Sequence, residues 1–223
     1  MAPSQTLSLF SDEWIPMAYV ASLTWLAALW LAFFVSHSWL AGDRLERRFG
    51  SRSRLVFNAI AVVMLALPMG MLAHLPAQLL WQQPSGLRWA LDALGLLAVA
   101  GFVHTLKYYS LAGFIGLRIE TWPLTFSPWH CWVRHPWYFL MLVMMWSRPL
   151  TDTWLLAAIS MSLYLVIGSR IEERRLLRLH PGSYGDYCQR VPGLLPWRGR
   201  ALDETTRLAL EARALTESTN TAP

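Results

Sequence analysis

Lysine is almost missing from this chain. Lys107 stands alone among 19 cationic residues, so the formal charge of +5 rests on arginine. A lysine-rich nucleic-acid patch is thereby excluded, and no nucleic-acid partner is expected. Charge itself is scarce at 15% of residues, where a soluble domain carries roughly 25%. Cysteine is limited to Cys131 and Cys188, which have no zinc-type spacing and read as two free thiols. HExxH, CxxC and clustered carboxylates are absent from the sequence, so no metal is expected. No alternating apolar–polar run marks a β-strand. The glycines within 93–101 and 113–116 therefore follow no strand, which excludes a soluble dinucleotide-type fold. Residues 1–14 hold Asp12 and Glu13 but no Lys or Arg, unlike the basic start of a cleaved secretory signal.

What is abundant is apolar surface. Hydrophobic residues make up 55% of the chain, above the roughly 45–50% of a soluble domain. There are 13 Trp. Tryptophan gathers at the membrane–water interface because its ring is apolar while its N–H needs a partner. These features predict an all-α, polytopic membrane protein with about five transmembrane helices. A spanning helix needs roughly 20 mainly apolar residues. The runs at 15–35, 55–75 and 87–104 meet or approach that length. The second contains Pro68 and Gly70, which a bilayer helix tolerates where neighbours satisfy the released backbone groups. The run at 137–146 is about half a span. After a turn signal at 147–152, the last run follows at 154–168. These two form an expected helical hairpin. Before it, 107–118 is short, aromatic and glycine-punctuated, and reads as interfacial or re-entrant. The stretch 120–135 holds Pro123, Pro128, three Trp and two His, a loop rich in stacking and polar groups. Past Pro196 the composition turns polar. The expected division is a membrane domain over 1–200 and a soluble polar tail over 201–223.

Arginine placement orients the spans. Arg44, Arg47, Arg48, Arg52 and Arg54 follow the first run, and Arg170, Arg174, Arg175 and Arg178 follow the fifth. The intervening loops offer Arg88 and Arg148. Five spans with the N-terminus outside and the C-terminus in the cytoplasm satisfy this asymmetry, in a multi-pass cell (inner) membrane. Segment 105–136 then also faces the cytoplasm, and anionic lipid headgroups are expected partners.

The same hairpin carries the candidate chemistry. Arg134, His135 and Pro136 precede its first arm. Arg170, Glu172, Glu173 and Arg174 follow its second. Folding the arms together puts both groups on one side. Adjacent glutamates on a helix point about 100° apart, so one faces a pocket while the other pairs with an arginine. A carboxylate can hold a ribose diol or an ammonium group, and arginine can hold a carboxylate in a bidentate fork. Tyr138 and nearby Trp residues can stack a purine or sit against a sulfonium. S-Adenosylmethionine requires this inventory. A plainer reading stands beside it. Arg170, Arg174 and Arg178 form one basic face, and Glu172–Arg175 and Arg170–Glu173 are i,i+3 pairs. A solvated juxtamembrane helix has the same features with no ligand.

The stretch RHPWY at 134–138, the EE pair Glu172-Glu173, and SYGDYCQRVPGLLPW at 183–197 occur in this order. Together they resemble the isoprenylcysteine carboxyl methyltransferase superfamily, which includes phospholipid methyltransferases and bacterial methanethiol S-methyltransferase-like proteins. The resemblance covers about 105–197, the expected cofactor-binding part. HSWLAGDRLERR and LKYYSLAGFIGLR are similar to the methanethiol-type branch. The resemblance implies a membrane methyltransferase that uses S-adenosylmethionine. It implies cofactor contacts at His135, Pro136, Trp137, Tyr138 and Glu172, and at His130, five residues before the motif histidine. Arg134 and Glu173 complete the expected cofactor cluster. A family arginine just before the glutamate pair handles substrate, and Arg170 is the nearest counterpart. The implied acceptor is a small or lipophilic molecule, a thiol by preference, with a carboxylate or a lipid amine open. Leu140 stands where the family has glycine, which predicts crowding of the pocket. His180-Pro181 replaces the usual Phe-Gly. An NADPH-dependent, sterol-reductase-like enzyme and a non-catalytic membrane accessory protein are the other readings.

Overall fold

The computed structural model describes residues 17–41, 44–115, 117 and 124–221. The described residues form helices and turns, with one isolated bridge between Leu79 and Thr151. In chain order the helices are α1 (Met17–Leu40), α2 (Arg44–Phe49), α3 (Ser53–His74), α4 (Ser85–Leu106), α5 (Leu111–Ile115), α6 (Pro136–Trp146), α7 (Asp152–Leu179), α8 (Ser183–Arg190) and α9 (Glu204–Thr221). Four helical stretches, Met17–Leu40, Arg44–His74, Ser85–Leu106 and Asp152–Leu179, are long and apolar enough to cross a bilayer. The fifth apolar run is α6, an 11-residue helix of about 16 Å, roughly half the hydrocarbon thickness. The chain is a polytopic all-α membrane protein. Its lipid-facing character is visible on the surface. Leu96, Leu97, Val62 and Trp25 expose 71%, 68%, 68% and 66% of their area, an apolar belt that a soluble protein would bury.

Helix packing sets the topology. α1 lies against α3 and α7, and α4 against α6. Leu26, Trp30 and Phe33 of α1 pack on Ala157 of α7 in the membrane core. One end of the bundle is tied by polar links. The Tyr19 hydroxyl donates to Asp152, and the backbone N–H of Gln78 reaches the same carboxylate at 3.0 Å. Arg88 pairs with Asp92 and donates to the Ser147 carbonyl at 2.6 Å. The backbone of Leu80 bonds Leu150 at 3.0 Å. The start of α1, the 75–84 loop, the start of α4 and the α6–α7 turn therefore share one end. The other end collects α2, α5, α8, α9 and the 124–135 loop.

α7 is one continuous helix of 28 residues. It carries the apolar run and the charged 169–179 stretch without a break, so it lifts Glu172 and Glu173 beyond the span. Thr151 starts it, its hydroxyl accepting from the Trp154 N–H at 3.2 Å. The residues expected to form a polar tail take a defined place. α9 buries Leu210 and Ala214, with Leu210 joining Tyr184, Tyr187, Val191 and Phe126 in a second core.

Candidate functional site

The site grows from the first turn of α6. Proline at its first position suits a helix start, since the missing N–H has no intrahelical partner there. That places Arg134 and His135 just before the helix, with backbones fixed by the 191–193 segment. The Arg134 N–H donates to the Pro192 carbonyl at 2.8 Å, and the His135 N–H to the Gly193 carbonyl at 3.2 Å. The Arg134 guanidinium continues the clasp, donating to the carbonyls of Val191 at 2.6 Å and Cys188 at 3.0 Å. A Cβ on Gly193 would meet that guanidinium at 3.3 Å, so glycine permits the approach.

The two glutamates divide as their angular separation requires. Glu173 is buried at 8% exposure and takes Arg134 Nε at 2.9 Å and His135 Nε2 at 3.0 Å. Glu172 opens onto a cavity. It receives the Tyr138 hydroxyl at 3.3 Å and lies 3.5 Å from His135 Nδ1. His135 also stacks on Tyr138, with ring centroids 5.2 Å apart and planes 10° from parallel. Burial opposes the imidazolium of His135, but hydrogen bonds and charge from both glutamates outweigh it, so its pKa is raised.

Two cavities of about 480 Å³ and 540 Å³ meet at this cluster. Both are lined by His130, Arg134, His135 and Glu172. The smaller runs under Phe126, Leu176, Tyr184 and Tyr187, and is aromatic and apolar. The larger runs past Pro136, Trp137 and Tyr138. Trp137 is fixed by its indole N–H, which donates to the buried Thr105 hydroxyl at 2.7 Å. His130 sits in a 3₁₀ turn, where its Nδ1 accepts the Ser127 N–H at 3.1 Å and faces the Ser127 hydroxyl at 2.9 Å. Burial, reinforced by the nearby His135, lowers its pKa to about 4. The ring is therefore neutral, with its proton on Nε2.

Every expected cofactor residue lies in this cluster: His130, Arg134, His135, Pro136, Trp137, Tyr138 and Glu172 on the cavity walls, and Glu173 behind them. Arg170 does not line either cavity; its side chain is exposed on another face of α7. Arg175 lines both, as do Arg54 of α3 and Tyr109. Sequence reading missed these three. Arg54 carried only a topology signal, Arg175 looked like an ion-pair partner, and Tyr109 lay in the LKYYSLAGFIGLR stretch, whose resemblance assigned it no role. The expected crowding by Leu140 is corrected. Leu140 turns away from the cavities and is buried against α4, where Gly101 leaves the space: a Cβ there would come within 3.1 Å of Leu140 and of Trp129.

The chain resembles the methanethiol S-methyltransferase of Mycobacterium tuberculosis, at 32% identity over 185 residues, 75% of each chain. A protein of the same name from Crocosphaera subtropica is 28% identical over 120 residues, 50% of this chain and 47% of that one. Methanethiol S-methyltransferase 1 of Bradyrhizobium diazoefficiens is 42% identical over 67 residues, 30% of this chain and 24% of that one. The last two matches thus span less than half of those relatives. No family model matches the chain. No solved structure matches it. With three quarters of its length aligned to one of these enzymes, and with the Arg-His-Pro and Glu-Glu segments joined in one cavity, the chain belongs to the isoprenylcysteine carboxyl methyltransferase-like family.

Proposed function

We propose that this protein transfers the methyl group of S-adenosylmethionine to a small thiol at the cytoplasmic face of the membrane. The observation that carries the reading is the cavity at the hairpin mouth, where Glu172, His135 and Tyr138 meet an aromatic recess. The pair of cavities, at about 480 and 540 Å³, falls within the roughly 300–1,000 Å³ of small-molecule sites. The donor set also fits. The smaller cavity offers Phe126, Tyr184 and Tyr187 to a purine. Glu172 offers a carboxylate to a ribose diol or an ammonium group. The cofactor supplies a methyl group on a positively charged sulfur, a leaving group already activated.

The chain's own residues then bind, orient and exclude water. Glu173 and Arg134 hold His135 in place. His135 and Tyr138 in turn fix the Glu172 carboxylate at the wall. Trp137, locked onto Thr105, closes the side toward α4. A thiol is favoured as acceptor because relatives are named for methanethiol, and because the larger cavity is walled by Pro136, Trp137 and Tyr138. A thiol needs only to lose its proton near neutral pH before attack.

The test is a transfer assay with labelled S-adenosylmethionine and purified protein, offered methanethiol, a prenylcysteine and a phosphatidylethanolamine in parallel. Labelled dimethyl sulfide is the expected product. Labelled ester or lipid amine would move the acceptor class, and no transfer to any of them would defeat the reading. Glu172→Gln should weaken cofactor affinity by about 1–3 kcal/mol, since it removes the charge that the ligand's donors meet. An unchanged dissociation constant would take Glu172 out of the site.

A further inference from the structure

Charge accounting inside the cavity leaves a remainder. Arg134 and His135 are balanced by Glu172 and Glu173, all four within one hydrogen-bonded cluster. Arg54 and Arg175 line both cavities as well. Neither has a carboxylate partner among the described residues. Arg54 donates to the Gly113 carbonyl at 3.2 Å, which positions it but supplies no counter-charge, and the described residues offer no carboxylate to pair with it. The two come from separate helices, α3 and α7, and converge on one space. A cavity lined by two guanidinium groups with no carboxylate partner among the described residues repels a cationic ligand unless that ligand brings an anionic group to them. Arginine forks suit a carboxylate in bidentate geometry.

We propose that Arg54 and Arg175 together form the carboxylate clamp for the amino-acid end of the cofactor, with Glu172 facing its cationic groups. This rests on the reading of the cavity as an S-adenosylmethionine site. S-Adenosylmethionine carries two positive charges and one negative, and its only anionic group is the α-carboxylate. One acidic and two basic side chains on the wall separate the two signs of the amino-acid end. The assignment also gives α3 a purpose beyond spanning the bilayer. It makes the N-terminal half of the chain part of the cofactor site, where the Arg-His-Pro and Glu-Glu motifs fall in the second half.

The same carboxylate chemistry could come from the acceptor, and the experiment separates the two sources. Purified full-length protein in detergent is titrated with S-adenosylmethionine and with its decarboxylated analogue, which differs only by the carboxylate. Wild-type protein should prefer the complete cofactor. Arg54→Gln and Arg175→Gln should each weaken it by about tenfold to a hundredfold while leaving the decarboxylated analogue unchanged or slightly tighter. Arg178→Gln, an exposed arginine off the cavity wall, should leave both affinities as they are. Equal losses for both ligands would reduce the arginines to a structural role and overturn the clamp. Unchanged cofactor binding with lost turnover would hand the carboxylate to the acceptor and overturn it too. In either case wild-type binding keeps the cofactor reading intact. A wild-type protein that binds neither ligand would bring down that reading and this inference together.

Discussion

Burial penalises the charged form of both His135 and His130, yet the two rings end in different states. Glu172 and Glu173 rescue the charge on His135 and raise its pKa, while burial, reinforced by the nearby His135, drives His130 down to about 4. The signs predict a stability optimum. As pH falls from 6.5 towards 4, the unfolded chain binds a proton at position 130 that the folded chain refuses, so stability drops. The His135 contribution is complete below its unfolded value of 6.5 and is lost as pH rises through its raised folded value. Thermal unfolding in detergent from pH 4 to 9 should therefore peak in the middle. His130→Gln should flatten the acid limb alone, and Glu173→Gln the alkaline limb. An acid limb unchanged by His130→Gln would contradict the neutral ring. Much of this cluster was legible in the sequence, because Arg-His-Pro, a hairpin and a glutamate pair form an ordered pattern. That one glutamate faces outward and the other inward also followed from the 100° step between neighbours. Arg54 and Arg175 were not legible. Their role comes from the convergence of two helices, which no local spacing records.

At the scale of elements, α9 acts as a clasp on the cavity wall. Its Glu211 accepts the Phe126 N–H at 2.6 Å and pairs with Arg207, which donates back to the Phe126 carbonyl at 2.7 Å. Both backbone groups of Phe126 are thus gripped, and its ring packs 4.2 Å from Tyr187 in the wall. Glu217 meanwhile accepts from the N–H and hydroxyl of Ser183, at 3.0 and 2.9 Å, where α8 begins. Gly182 makes room for this, since a Cβ there would fall 2.6 Å from Glu217 and 2.5 Å from Arg213. Glu211→Ala leaves the buried Phe126 N–H without its acceptor and takes one of two carboxylates from Arg207, which keeps Glu204, at a cost of about 1–3 kcal/mol. Its thermal midpoint should fall and its affinity for S-adenosylhomocysteine should weaken. A lower midpoint with unchanged affinity would confine α9 to a structural role. The composition of 201–223 reads as a polar tail because α9 hides only a narrow stripe, with Leu210 and Ala214 buried. The glycine that admits the helix sits in another segment. The long apolar helices were legible from length and composition. The short α6 was legible too, as the half-span run at 137–146 closed by the turn signal at 147–152, and the charged stretch after the last run reads as a helical continuation of it, which α7 carries through to Leu179 without a break.

For the whole molecule, the two ends of the bundle differ in charge. The end holding Tyr19, the 75–84 loop and the α6–α7 turn offers Arg88 and Arg148, and Arg88 is already paired with Asp92. The opposite end carries Arg44, Arg47, Arg48, Arg52 and Arg54 around α2, and Arg174, Arg175 and Arg178 near the end of α7. The excess of arginine in short segments beside the spans predicts a cytoplasmic location for that second end. α1 starts at the first end, and α9 lies at the second, so the expected topology puts Met17 and Thr221 on opposite sides of the bilayer. This expected orientation ties topology to the proposed function, since the cavity opens at the arginine-rich end and the proposed methyl donor would be drawn from the cytosol. A fluorescent reporter joined after Pro223 should glow, and a periplasmic phosphatase at the same position should stay inactive. Replacing Arg44, Arg47, Arg48 and Arg52 with serine removes four of the eight arginines named at that end without touching the cavity wall, and should raise the fraction of inverted molecules. An active phosphatase on the unaltered chain would put the cavity outside the cell, away from its methyl donor, and the proposed reaction would lose its footing with the topology.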